Sequence, residues 1–316
     1  MLKPIHLLAC SFAFAILLSG TPQARAQDRT PSKVPITTTV TVLGPKFTTP
    51  PPITKDDISV YSGKTRWDVL DWSPAQGEKG SLQLAIVIDN SASQTAVGTQ
   101  LNDVAAFIRL QPRSTAVGVF YAVDGTVQAA SNFSTNHNAV AKTLRMPLGL
   151  RAGDSPSIYL SVSELVKRHW PETRGRREIL LISNGVDRLE RGPESPYVQA
   201  AIEDVQKAGV TVHTIYTGTS LRFGESFRGQ YAQQNLEEIT SGSGGEAFFE
   251  GLITPVSFAP YLRQLDMVLH NQYLLTFAVP RSNKKNGELR QIQVRAEQRN
   301  VQLKYPKQVP VPGPAN

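Results

Sequence analysis

The sequence predicts an α/β fold: a doubly wound, mostly parallel sheet inserted in a small β domain formed by the flanking segments. Three observations carry this. Residues 84–88, 178–183 (EILLIS) and 211–217 (TVHTIYT) are apolar runs rich in β-branched residues, the pattern of strands buried on both faces. Helix-periodic segments alternate with them, which points to a parallel sheet with covering helices. Segments before residue 81 and after residue 270 read as strands alone, so the two ends are expected to meet in one β unit, with the α/β body inserted between them.

Taken in order, residues 27–35 are polar and expected to be disordered. Residues 36–43 (ITTTVTVL) alternate as a strand. After a proline-rich connection, 58–61 and 67–72 read as short strands around a Ser62-Gly63-Lys64 turn, and 74–80 as a linker. Leu101, Val104, Ala105 and Ile108 make one helical stripe. Residues 115–123 and 126–133 flank Asp124-Gly125, a strong hairpin signal. Short helices are expected over 136–144 and from Ser157, with Ile158, Val162, Leu165 and Val166 inward. Ser195-Pro196 opens a helix that Gly209 ends. Residues 221–229 read as a loop, followed by a helix carrying Leu236 and Ile239, a strand at 247–249, and a last helix carrying Phe258, Leu262, Leu265 and Leu269. Strands are expected at 272–279, 289–296 and 301–305, and an extended proline-rich tail over 309–316. The domain expectation is therefore a leader (1–26), a linker and β segment (27–80), the α/β body (81–270), a returning β segment (271–308) and the tail.

The leader reading rests on Lys3, the mostly apolar 5–18 and Ala24-Arg25-Ala26, an A-x-A cleavage site before Gln27. The apolar stretch is short for a membrane span, so cleavage and export, periplasmic or secreted, with no span left afterwards, is the expectation. Cys10 is the single cysteine, which leaves the mature chain with no disulfide, no thiol catalysis and no cysteine metal cluster. The net charge of +7 falls to +5 without Lys3 and Arg25, a solvated basic surface with no aromatic-interleaved patch for nucleic acid.

Residues 82–93 read LQLAIVIDNSAS and end in Asp89, Ser91 and Ser93, three oxygen-bearing side chains at alternate positions. Open parallel sheets bind ligands beyond the carboxyl ends of their strands, and oxygen ligands on a short loop suit a hard cation such as Mg²⁺. Alone, such a triplet equally describes a serine-rich turn capping the next helix. Followed by ILLISNGVD, TVHTIYTG and ITSGSGGEAFF, it resembles a von Willebrand factor type A (VWA) domain over roughly 81–269. ITKDDISVYSGK, QYLLTFAVP and GELRQIQVRAEQRNVQLKY resemble the flanks of a bacterial group of secreted VWA-related proteins. The resemblance implies a Rossmann-like sheet with a metal at its top, where a ligand carboxylate often completes the coordination.

Carried over residue by residue, Asp89, Ser91 and Ser93 match the first metal loop. The second loop, AGDSPSIY, has Pro156 where a threonine is usual, leaving Ser155 and Ser157 as the hydroxyls. The third, usually S-D-G, is Ser183-Asn184-Gly185, so Asn184 puts an amide where a carboxylate belongs. Asp154 and Asp187 lie near enough in sequence to compensate. The expectation is a degenerate metal-ion-dependent adhesion site with weak or absent binding of Mg²⁺ or Mn²⁺, on a module that binds a protein or envelope-surface ligand.

Other signals are plainer. The glycines of SGSGGEAFF precede a strand, the wrong context for a phosphate cradle. His137, His169, His213 and His270 lack metal-ligand spacing, and Ser91 lacks the G-x-S-x-G elbow. Trp67 and Trp72 suit packing, and Arg174, Arg176 and Arg177 a solvated corner. A structural role in an envelope assembly, and a hydrolase with an unrecognised site, remain as alternatives.

Overall fold

The computed structural model describes residues 33–150, 155–170, 175–190, 195–218, 226–249, 251 and 253–314. The leader, residues 27–32, Asp154 and Arg174 lie outside them.

The chain opens with β1 (Lys33–Leu43), which begins earlier than the sequence suggests because its partner is long enough to pair Lys33 with Pro280. Next come β2 (Ile58–Ser62), β3 (Thr65–Trp67) and β4 (Val69–Pro74). The stretch 67–72, read from sequence as one strand, is broken at Asp68, whose carbonyl accepts from the Ala278 N–H at 2.9 Å while β3 and β4 pair with different neighbours. β5 (Leu82–Asp89) starts the α/β body and is followed by the single turn α1 (Gln94–Val97) and by α2 (Leu101–Leu110). The hairpin β6 (Thr115–Val123) and β7 (Thr126–Ser134) turns at Asp124 (φ 45°) and Gly125 (φ 78°), the paired positive φ that a two-residue turn needs.

The body continues with α3 (His137–Ala141), α4 (Ile158–Glu164), β8 (Arg176–Ser183), α5 (Pro196–Ala208), β9 (Val210–Tyr216), α6 (Ser226–Ser243), β10 (Ala247–Phe248) and α7 (Ala259–His270). Residues 226–229, expected in a loop, belong to the first turn of α6. The returning strands are β11 (Gln272–Pro280), β12 (Glu288–Gln291), β13 (Gln293–Ala296), β14 (Gln302–Lys304) and β15 (Gln308–Val311). Two expectations change here. The strand over 289–296 divides at Ile292, whose N–H bonds to the Lys307 carbonyl at 3.0 Å. The tail is held as β15, antiparallel to β12.

The six-stranded sheet runs β10-β9-β8-β5-β6-β7, parallel except for β7. Period-two alternation sends Leu84, Ile86 and Ile88 into one core, with α2, α3 and α7, and Ala85 and Val87 into the other, with α4, α5 and α6. Burial of each large apolar side chain contributes about 1.5–3 kcal/mol. After β5 the chain builds outward through β6 and β7, then crosses to β8 on the other side, so the topological switch point lies at β5.

The flanking strands mix both ends of the chain: β14-β1-β11-β4, β13-β2-β3 and β12-β15. Their shared core includes Val40, Val60, Trp67, Trp72, Leu275, Phe277 and Val294. Trp67 stacks on Phe277 at 5.7 Å and Trp72 on Tyr273 at 4.5 Å, so both tryptophans are packing residues. Among the described residues no helix is long and apolar enough to cross a membrane.

Candidate binding site at the carboxyl end of the sheet

β5 and β8 pair in register, Ile88 opposite Ile182, so Asp89 and Ser183 leave the sheet side by side at the switch point. Asp89 is buried, 4% exposed. Its carboxylate takes three donors: the Ser91 N–H at 2.9 Å and Ser91 hydroxyl at 2.6 Å on Oδ1, and the Ser183 hydroxyl at 2.7 Å on Oδ2. The Ser183 Oγ in turn accepts from the Gly185 N–H at 2.9 Å. Ser93 is exposed at the position before α1, and its hydroxyl does not cap that turn.

The other loops point their polar groups elsewhere. The Asn184 Oδ1 accepts from the Val186 N–H at 2.9 Å, a side-chain turn within its own loop. Ser155 is exposed. The buried Ser157 caps α4 by accepting from the Leu160 N–H at 3.4 Å, and it donates to Asp187 Oδ2 at 3.3 Å. Asp187 also takes the Ser195 hydroxyl at 2.9 Å and the Leu189 N–H at 3.0 Å. Ser195, expected to cap α5, makes no cap bond because its hydroxyl serves Asp187. The second and third loops are tied directly, Arg188 N–H to Pro156 carbonyl at 3.0 Å. Between them the buried Tyr159 hydroxyl donates to the Gly185 carbonyl at 3.0 Å. Burial, then the charges of Asp187, Asp89 and Glu238, push that phenol well above its ordinary value, against an Asn235 hydrogen bond.

Three residues of this end escaped the sequence reading. Ser183 was noticed only as the neighbour of Asn184. Asn90, directly after Asp89, accepts with its Oδ1 from Arg145 Nη1 at 2.9 Å and the Leu148 N–H at 3.2 Å, and its carbonyl accepts from the Gly149 N–H at 3.0 Å. Arg145 lies over the Tyr121 ring, 3.8 Å from its centre. The Tyr121 hydroxyl donates to the Arg145 carbonyl and accepts from its N–H, both at 2.6 Å. Burial raises the Tyr121 phenol, with the Arg145 backbone bond and charge opposing. The available signal was the run 144–150 (LRMPLGL), too apolar for a plain surface loop.

The oxygens a cation would use here already accept protein hydrogen bonds, and Asn184 supplies an amide where a carboxylate would help. Magnesium wants near-octahedral oxygens with carboxylate help. Asp89 already receives three protein donors, Asp187 is committed to Ser157, Ser195 and Leu189, and the Asn184 oxygen is used by Val186. No cluster of three His, Cys, Asp or Glu able to hold a metal occurs among the described residues.

Fold and site together define an α/β module with a closed carboxylate–hydroxyl cluster at its switch point. No protein-family model and no curated protein matches the chain. Similar solved structures include an aerotolerance-related membrane protein of Bacteroides fragilis (14% identity, 60% of this chain and 98% of that chain, TM-score 0.42). The conserved hypothetical protein BatB of Bacteroides thetaiotaomicron is similar at 12% identity (60% and 98%, TM-score 0.36), and the N-terminal domain of TFIIH p34 at 11% (58% and 95%, TM-score 0.37).

Proposed function

We propose that this chain is an exported binding module that docks a protein or envelope-surface partner on the loops at the carboxyl end of its sheet, around a degenerate adhesion-type site that works without a tightly held metal. The observation that carries the reading is the apolar exposure of those loops. Val256 is 94% exposed, Met146 51%, Leu148 49% and Leu189 44%. Clustered exposed apolar side chains rimmed by polar groups mark interaction surfaces, whereas scattered ones do not. Backbone bonds fix their loops: the Leu148 N–H donates to Asn90 and the Leu189 N–H to Asp187, while the Val256 carbonyl accepts from the side chain of Gln100, ahead of α2, at 2.9 Å. Met146 lies against Gly98, beside α1. Export is supported by Lys3, the apolar stretch after it and Ala24-Arg25-Ala26.

The test is capture from the exported fraction by the immobilised chain, compared with a Met146→Asp/Leu148→Asp form of unchanged circular dichroism. The expected result is a partner retained by the unaltered chain in excess EDTA and reduced at least tenfold on the variant. A partner held equally by both forms, or held only when Mg²⁺ is added, contradicts the reading.

A further inference from the structure

The chain passes between the flanking β strands and the α/β body twice within the described residues: at Gly80, ahead of β5, and from Leu269 to Gln272, between α7 and β11. Arg176, at the amino end of β8, holds both crossings. Its Nη2 donates to the Gly80 carbonyl at 3.2 Å, its Nη1 to the Leu269 carbonyl at 2.9 Å, and Nη1 also to the Gln272 side-chain oxygen. Behind it stands Glu178, 1% exposed in its side chain, 3.8 Å from Arg176 Nη1. Glu178 Oε2 accepts from Gln272 Nε2 at 3.2 Å and pairs with His213 Nε2 at 2.7 Å. His213 Nδ1 accepts from the Glu246 N–H at 3.0 Å, so the ring proton sits on Nε2 and is donated to Glu178. Gln272 Nε2 reaches Thr41 of β1 at 3.3 Å. One buried polar cluster thus joins β8 and β9 to β1 and β11.

The cluster is itself buried, and the apolar cores on its two sides are separate. The body has its two apolar cores and the β part its own; Leu43 is the buried β1 side chain that joins a core of the body. Beside the cluster, a cleft of about 350 Å³ opens between Thr37–Thr39 and Pro310 on one side and Lys207–Thr211 on the other. A second, of about 600 Å³, separates Glu237 and Ser241 of α6 from residues 291–293. The parts are also tied by the Lys307 N–H to the Gly242 carbonyl at 3.0 Å and by the Lys304–Glu246 ion pair. Closely packed interiors resist rearrangement, while a junction made of hydrogen bonds and ion pairs beside clefts admits a rigid-body rotation. Arg176 Nε and Glu178 Oε1 are buried with no hydrogen-bond partner among the described residues, so the cluster holds unused bonding capacity that a second arrangement can take up.

We infer that the two chain crossings form a hinge between the β part and the α/β body, and that Arg176, backed by Glu178, His213 and Gln272, is the latch that sets the angle between them. A guanidinium spans three acceptors in a fixed fork; an ammonium at the same place is a point charge and cannot.

Pulsed-dipolar distance measurement on the full chain tests this. Spin labels go on Ala200→Cys, exposed on α5, and Lys64→Cys, exposed in the β2–β3 turn, with Cys10→Ser to leave no other thiol. The expected result is one narrow distance in the otherwise unaltered chain. Arg176→Lys then broadens it or adds a second distance, with far-ultraviolet circular dichroism unchanged. Gln272→Leu acts in the same direction and decides the matter should Arg176→Lys fail to fold. A narrow, unshifted distance in the folded latch variants overturns the proposal, as does a broad distribution in the unaltered chain.

Discussion

Three donors converge on the Asp89 carboxylate, and that convergence organises its neighbourhood. Ser91 closes the loop after β5, and Ser183 fastens β8 to it at the point where the strands diverge. Asn184 stands in the loop position where a carboxylate would strengthen a cation site, and its oxygen is spent on Val186. An aspartate there can keep that turn with one oxygen and offer the other. At an effective dielectric near 20, a charge pair about 4 Å apart is worth roughly 4 kcal/mol gross. Desolvation offsets part of this, and every 1.4 kcal/mol remaining is about tenfold in affinity. Asn184→Asp is therefore expected to bind Mg²⁺ and Mn²⁺ at least tenfold more tightly than the unaltered chain in calorimetric titration, with Asp89→Ala as the silent control. No gain would place the defect in the second loop, where Pro156 displaces a hydroxyl. Asp89 and Ser91 could be read from spacing, and Asn184 from the resemblance of its loop. Ser183, Asn90 and Arg145 could not, because their roles depend on which strand lies beside which and on a loop folding back over 55 residues of sequence.

At the scale of elements, β5, β8 and β9 were legible because each is a continuous apolar run, whereas the flanking strands were blurred. β3 and β4, like β12 and β13, are short, and each member of a pair joins a different sheet, a division made by partners far away in the chain. The glycines after α6 proved to be packing devices: a Cβ on Gly245 would lie 1.9 Å from the Val212 carbonyl oxygen. Glu178 and His213, charged or polar residues inside apolar runs, carried a signal that the sequence reading did not use. Burial alone would raise the Glu178 carboxyl, but the His213 hydrogen bond, the Arg176 charge and the Gln272 hydrogen bond together hold it below its ordinary value of 4.5. A carboxyl lowered by folding stabilises the native state above its unfolded value, and that contribution is lost as pH falls through the folded value. Urea midpoints are thus expected to fall below about pH 4.5, and Glu178→Gln should flatten that part of the profile. At neutral pH the same change leaves Arg176 without its buried counter-charge, at a cost of about 3–5 kcal/mol. An acid profile identical in both forms would show that Glu178 is not the titrating group.

For the whole molecule, the fold puts the apolar loops and the Asp89 cluster at one end of the sheet and the Arg176 latch at the amino ends of the same strands. The predicted class, a doubly wound sheet with both chain ends contributing to the flanking strands, followed from where helical and strand periodicity alternate and where they stop. The angle between the two parts was beyond sequence, since it rests on carbonyls that any residue could supply. On the reading proposed above, the carboxyl-end cluster is complete through its own hydroxyls and amides. Ligands that bind only the native state raise its stability, by about 2.7 kcal/mol at a hundredfold excess over Kd. The most direct measurement is therefore thermal unfolding of the full chain in excess EDTA and in excess Mg²⁺ or Mn²⁺ at matched ionic strength. Coincident midpoints are expected; a midpoint raised by the cations, with the rise abolished in Asp89→Asn, would contradict a self-sufficient cluster.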